Sequence, residues 1–208
     1  MRFLVDPKTK SFKFLSTLLD LFFLNMLFLI TSLPLVTLGP SMLALHATTM
    51  AMVTGKNPNV LSAYFGTWRH ELGRGFALSG VVLALIVMLW LALACLPVLG
   101  GISHIIGLIG VMLLAVVGVI MIMYVFTYTA RYQDGFFHSL KVSMQIALLN
   151  LRTTLLVIGV IGAILLLFSF SAFFFTLGTL LTLLFGFAAA AYFVCDKLYP
   201  VFLQYEYQ

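Results

Sequence analysis

Long apolar runs, separated by one or two charged residues at a time, set the pattern of this chain. Gly75 to Val98 and Thr153 to Cys195 contain no charged side chain. A membrane β-barrel would alternate apolar and polar residues in short segments between turns. Unbroken runs of this length satisfy their own backbone in lipid as helices. At about 20 residues per crossing, the pattern predicts an all-α polytopic transmembrane helical bundle of about six membrane segments, five full spans and one short or broken. It forms a single integral-membrane domain over 1–208, with spans at about 14–37, 75–98, 104–130, 153–171 and 176–195 and a shorter segment at about 41–54. The last two spans form a hairpin whose turn falls within Ser169 to Gly178.

The first run, Phe14 to about Val36, carries only Asp20 as a charge and is too long for the roughly 7–15 residue apolar region of a signal peptide. It reads as a retained span, kinked near Pro34 and ended by Gly39-Pro40. The short segment from Ser41 to Val53 would reach only about 20 Å, against about 30 Å of hydrocarbon. Length alone makes it re-entrant or buried. Charge argues that it crosses, because the basic leader (Arg2, Lys8, Lys10, Lys13) and the next basic stretch (Lys56, Arg69, Arg74) both belong on the cytoplasmic side. Six crossings place all 11 Lys and Arg residues inside, with both termini cytoplasmic.

Between the spans, two segments carry a helical apolar stripe. In 58–72, opened by Asn57-Pro58, Leu61, Phe65, Trp68 and Leu72 line up, with Tyr64 alongside and Ser62, Arg69, His70 and Glu71 largely off the stripe. In 134–150, capped by Asp134, the stripe is Phe137, Leu140, Met144 and Leu148, with Ser139, Lys141 and Gln145 away from it. Both read as amphipathic helices in the cytoplasmic interface. The order span, amphipathic helix, span thus occurs twice, the second span rising from Arg74 and then from Arg152. That order suggests a parallel repeat of the kind found among transporters.

Composition agrees: 63% of the residues are hydrophobic and 8% charged, and the mean hydropathy is +1.18. A soluble domain carries about 25% charged residues, so lipid must cover this surface. The net charge of +5 does not indicate nucleic acid, because no basic run is interleaved with aromatics. Cys95 and Cys195 fall at opposite ends of different spans, so no disulfide is expected.

The polar residues inside the spans are the candidates for chemistry. Asp20, two turns into the first span, is either a coupling or substrate residue or a carboxylate near the interface paired with Lys13 or Arg74. Asn25 and the Thr31-Ser32 pair can bond helix to helix. His46, with Thr48 and Thr49, lies in the short segment; no further ligand stands at metal spacing, so neither metal nor cofactor is expected. Gly107 with Gly110, and Gly159 with Gly162, offer smooth faces for close helix contact. The phosphate loop, the His-Glu-x-x-His pair and the Gly-x-Ser-x-Gly elbow are all missing, so the expectation is a protein that is not an enzyme.

The stretch Leu19-Asp20-Leu21 through Asn25 to Leu33-Pro34-Leu35-Val36-Thr37-Leu38-Gly39-Pro40-Ser41 resembles the opening of the YesL-like family of bacterial membrane proteins. The aromatic piece Tyr64-Phe65 with Trp68, and the second inside loop from Arg131 to Asn150-Leu151-Arg152-Thr153, are similar too. This chain has Pro40 where the family often has Ala, and His46 where it often has a Tyr-rich pair. The resemblance implies a protein of the bacterial plasma membrane with no established activity, encoded beside carbohydrate ABC importers and glycoside-degrading enzymes. The leading expectation is a non-enzymatic accessory subunit of an ABC-type carbohydrate or oligosaccharide uptake system. Its partners would be the lipid bilayer, ABC permease subunits and further copies of itself. Contacts would run through Tyr64, Phe65, Trp68, Arg69, Arg74, Phe137 and Lys141. The rival is a six-helix transporter or substrate-binding component that gathers Asp20, Asn25, His46 and Thr49 around one pocket. An intramembrane enzyme is a third class.

Overall fold

A computed structural model describes residues 10–56, 59–98, 100–132 and 134–206, and every regular element in it is helical. Six segments are long and apolar enough to cross a membrane, so this is a multi-span helical membrane protein. The leader residues Arg2 and Lys8, and Asn57-Pro58, lie outside the described residues.

The first helix, α1 (Lys10–Ser32), stops two residues before Pro34, whose ring disfavours helical backbone in the residue preceding it. A single tight turn, Leu35–Thr37, leads into α2 (Leu38–Val53). Gly39-Pro40 therefore opens the second helix and does not close the first. Proline is tolerated there because the N–H groups of a first turn have no partner within the helix.

Helix α2 is the centre of the molecule. It touches α1, α3 (Val60–His70), α4 (Leu72–Cys95), α5 (Ile102–Arg131) and α9 (Phe187–Glu206). Of the six apolar segments it is the most enclosed by protein and has the lowest hydropathy. Protein, and not lipid, surrounds it, which is why a short helix with His46, Thr48 and Thr49 is stable here. Its approach to α4 is backbone to backbone. A Cβ on Gly39 would strike the carbonyl of Gly75, and one on Gly75 would lie 2.6 Å from the backbone of Pro40. The helix ends on Gly55 at φ +73, with Gly55 N–H bonded to Met52 O and Lys56 N–H to Ala51 O. This left-handed closure is one that glycine adopts without strain.

Helix α3 starts from Asn59, whose side chain accepts from Ser62 N–H at 3.4 Å. Asn59, not Asn57, is thus the cap of the described helix. Likewise α6 (Phe136–Leu149) starts from Gly135, and Asp134 instead accepts the hydroxyl of Tyr128 at 2.6 Å. The faces of both short helices differ from expectation. Helix α3 buries Val60 and Tyr64 and leaves Leu61 and Phe65 exposed. Helix α6 buries Ser139, Ser143, Ile146 and Ala147 and leaves Phe137 and Leu148 exposed. The expected stripes are split: Trp68 and Leu140 pack against the core, whereas Leu61, Phe65, Phe137 and Leu148 face outward. Ser139 lies away from Phe137 and Leu148, as expected, and is on the side that is buried.

The final hairpin turns at Phe170-Ser171, inside the expected interval, between α7 (Leu151–Ser169) and α8 (Ala172–Leu181). One π-helical turn, Thr182–Gly186, joins α8 to α9. The helix does not end near Cys195. It passes Asp196-Lys197 to Glu206, and Val194, Cys195, Leu198, Val201 and Phe202 pack with Tyr128, Ile146, Ala147 and Val157.

The core therefore sits toward one end. On α4 the buried positions are Gly75, Leu78, Ser79 and Val82; on α5 they are Gly118 and Met123 to Thr129. Ile86 to Met88 and Trp90 on α4, and Ile102 to Ile106 on α5, face outward. Among the described residues no neighbouring helix comes within 4 Å of an added Cβ at Gly110, Gly159 or Gly162, so the expected close packing on these glycines is not made by them.

Candidate functional site

Helix α1 places Asp20 and Asn25 five residues apart, and they serve different surroundings. Asn25 is fully buried. Its Nδ2 donates to Leu183 O at 2.7 Å and lies 3.5 Å from Thr182 O, while its Oδ1 accepts from Ala188 N–H at 3.0 Å. A π turn holds one residue more than α-helical spacing allows and disrupts the regular i to i−4 ladder. The Asn25 amide bridges that interruption, an assignment for which an amide is suited because it both donates and accepts.

Asp20 is half-buried and makes no hydrogen bond or ion pair among the described residues. Arg74 is not its partner. The Arg74 guanidinium meets Glu71 (Nε to Oε2, 3.1 Å) and donates to the carbonyls of Thr129 and Tyr132 at 3.3 and 3.2 Å. It thereby ties the start of α4 to the end of α5. The Lys13 side chain lies outside the described ones.

His46 and Thr49 do come together, with two residues that sequence reasoning missed. Thr127 Oγ1 donates to Met123 O at 2.7 Å, so it accepts from His46 Nδ1 at 3.1 Å. That bond assigns the ring proton to Nδ1. Thr49 Oγ1 donates to Leu45 O at 2.9 Å and accepts the thiol of Cys195 at 3.3 Å. The imidazole lies over Phe126 at 6.3 Å between ring centres. Two short proton-donating chains, Cys195 to Thr49 to Leu45 and His46 to Thr127 to Met123, thus link α2 to α9 and to α5. The signal for Thr127 was legible as Thr127 and Thr129 within an otherwise apolar span; nothing in the sequence pointed at Cys195.

The four candidates therefore occupy three places. Four cavities of about 620, 410, 480 and 520 Å³ have none of Asp20, Asn25, His46 or Thr49 in their walls. Among the described residues no group of three or more His, Cys, Asp or Glu could hold a metal ion.

The surface candidates divide as well. Tyr64 is fully buried; its hydroxyl donates to Thr31 Oγ1 at 2.5 Å, since Thr31 itself donates to Leu27 O. Burial pushes the Tyr64 phenol above its ordinary pKa, which keeps it a neutral donor. Trp68 is half-buried and donates to Ser41 Oγ at 3.3 Å. Tyr64, Trp68 and Arg74 thus bind this chain's own helices, whereas Phe65, Arg69, Phe137 and Lys141 remain exposed.

Residues 21–91, from within α1 to near the end of α4, match the model of a family described as "Protein of unknown function, DUF624". No curated protein and no solved structure matches the chain. The matched stretch holds Asn25, His46, Thr49 and the Gly39–Gly75 crossing, so the part of this multi-span membrane protein that is similar to the DUF624 family is the part built around α2.

Proposed function

We propose that this chain is a non-enzymatic accessory subunit that acts by binding other membrane helices, within an ABC-type importer of carbohydrate or oligosaccharide. The importer itself rests on the family resemblance. The observation that carries the binding role is Asp20. A carboxylate in a membrane helix is costly unless it is paired or hydrated, and this one stands beside the exposed Leu19 and Phe23 without a partner among the described residues. A cation on a neighbouring chain would complete it. The unfilled glycine faces of α5 and α7 suit the close approach of a further helix. The outward apolar side chains Leu61 and Phe65 of α3 and Phe137 and Leu148 of α6 offer further apolar surface. In this reading both termini are cytoplasmic in the plasma membrane.

A transporter in its own right would need its intramembrane polar groups to converge on a cavity. Here Asn25, His46 and Thr49 are each answered by neighbours, which favours structural roles for them.

The test is gentle purification from the native membrane of the wild type and of Asp20→Asn. Permease subunits should accompany the wild type, and Asp20→Asn should lose most of them with an unchanged melting temperature. Recovery of the wild-type protein alone would sink the reading.

A further inference from the structure

A cavity of about 620 Å³ lies between α6 and the ends of α5 and α9. Its inner wall is aromatic. Tyr128 and Tyr132 lie 4.7 Å apart between ring centres, and Phe202 of α9 stands 6.2 Å from each, nearly edge-on. Val142 and Ile146 close the near side from α6. Among the described residues no charged side chain lines this space. The Asp134 carboxylate is taken up by the Tyr128 hydroxyl at 2.6 Å, and Arg131 lies over the rings of Tyr132 and Tyr199, outside the wall.

The depth of the cavity follows from α7. Its 19 residues reach about 28 Å, close to the roughly 30 Å of a hydrocarbon core, so Leu151 marks one boundary. The hydroxyls of Tyr124 and Thr154 meet at 2.8 Å, which sets the start of α7 level with Tyr124. Tyr128 lies about 6 Å further along α5, and Tyr132 about 12 Å. The cavity therefore sits in the head-group layer, where tyrosine is favoured.

Its surroundings grade from apolar to cationic. Leu148 and Leu149 at the mouth are exposed, and the exposed Leu151 and Leu155 continue that apolar face into the span. His138 and Gln145 form the rim, and Lys141 shares their side of α6. All three are exposed, and none makes a hydrogen bond or ion pair among the described residues. Apolar wall, neutral donors and then a cation match the order of groups in a phospholipid, from acyl chain through ester to phosphate.

We propose that this cavity holds the glycerol end of one bilayer phospholipid. His138 and Gln145 donate to its ester carbonyls, Lys141 meets its phosphate, and its acyl chains lie on Leu149, Leu151 and Leu155. The experiment uses the full chain in phosphatidylcholine vesicles with phosphatidylglycerol carrying a diazirine beside the ester. After photolysis, peptide mass spectrometry should find adducts on Val142, Leu149 or Phe202. The same diazirine on a diacylglycerol, which lacks the phosphate, should label them about fivefold less. Lys141→Gln should cause the same loss with phosphatidylglycerol, and Lys141→Arg should restore the adducts. Gln145→Trp, which fills the rim, should lower them for both probes. Lys141 and Gln145 are exposed, and adducts on Leu155 check that each variant is inserted. Adducts on Leu155 with none in the cavity would mean that something other than lipid occupies it. Equal labelling of the wild type and Lys141→Gln would remove the phosphate contact. Either result would overturn the proposal.

Discussion

Gly75→Ala is expected to lower stability by about 3 kcal/mol, the upper part of the range for overpacking. In a chain of this size that is a fall of roughly 6–12 °C in melting temperature. The added methyl meets the Cα, N and ring of Pro40 at 2.6 Å. Those atoms cannot swing aside as a flexible side chain would, because the proline ring fixes its own φ. Relief requires α2 to move away from α4, which would also stretch both hydrogen bonds of Ser79 to the turn. Gly80→Ala is the control: five residues along the same helix, nothing lies within 4 Å of its added Cβ. Its melting temperature should be unchanged or slightly raised. Thermal unfolding in detergent, followed by tryptophan emission, reads both. Equal behaviour of the two variants would show that the α2–α4 contact is not as close as described.

Asn25→Leu has the second large effect expected, about 2–4 kcal/mol. It keeps the side-chain size and removes the amide that answers Leu183 O and Ala188 N–H. Each buried polar group left without a partner costs about 1–3 kcal/mol. Hydrogen bonds between membrane helices average only about 0.6 kcal/mol by mutation, because the separated groups find other partners. Here the groups belong to a π turn between two helices, so substitutes are few and the larger figure applies. A second variant checks the cause. Deleting Leu184 from the π turn in the Asn25→Leu background should restore regular helix and recover part of the loss. The register shift falls on α8, most of whose side chains are exposed and can turn in lipid. If the deletion deepens the loss, the amide is not there to serve the π turn.

The helices themselves were legible because lipid imposes one requirement on every residue of a span. The runs Gly75 to Val98 and Thr153 to Cys195 could be nothing but helices, and the turn at Phe170-Ser171 falls inside the interval that length required. The charges near the first two helices were the ground for expecting both basic stretches on one side of the membrane.

The sites were less legible. The tendency of Asn25 to bond between helices could be read from its type, but its partner is a backbone irregularity more than 150 residues away. His46 was visible as an outlier, yet its partners Thr127 and Cys195 come from two other helices. The helices α3 and α6 were correctly located, but which stripe residues turn to the core (Trp68, Leu140) and which turn outward (Leu61, Phe65, Phe137, Leu148) was not legible. An interfacial helix has two apolar neighbours, lipid and protein, and periodicity does not say which one receives the large side chains.

The sequence by itself determined a multi-span helical membrane protein, because hydrophobicity and backbone satisfaction are properties of each segment taken alone. Tertiary structure decided the rest: α2 at the centre, Gly39 against Gly75, Asn25 on the π turn, and Arg74 on Glu71 and the end of α5 instead of on Asp20. Each of those depends on a meeting of two segments distant in the chain, and no local pattern encodes the partner.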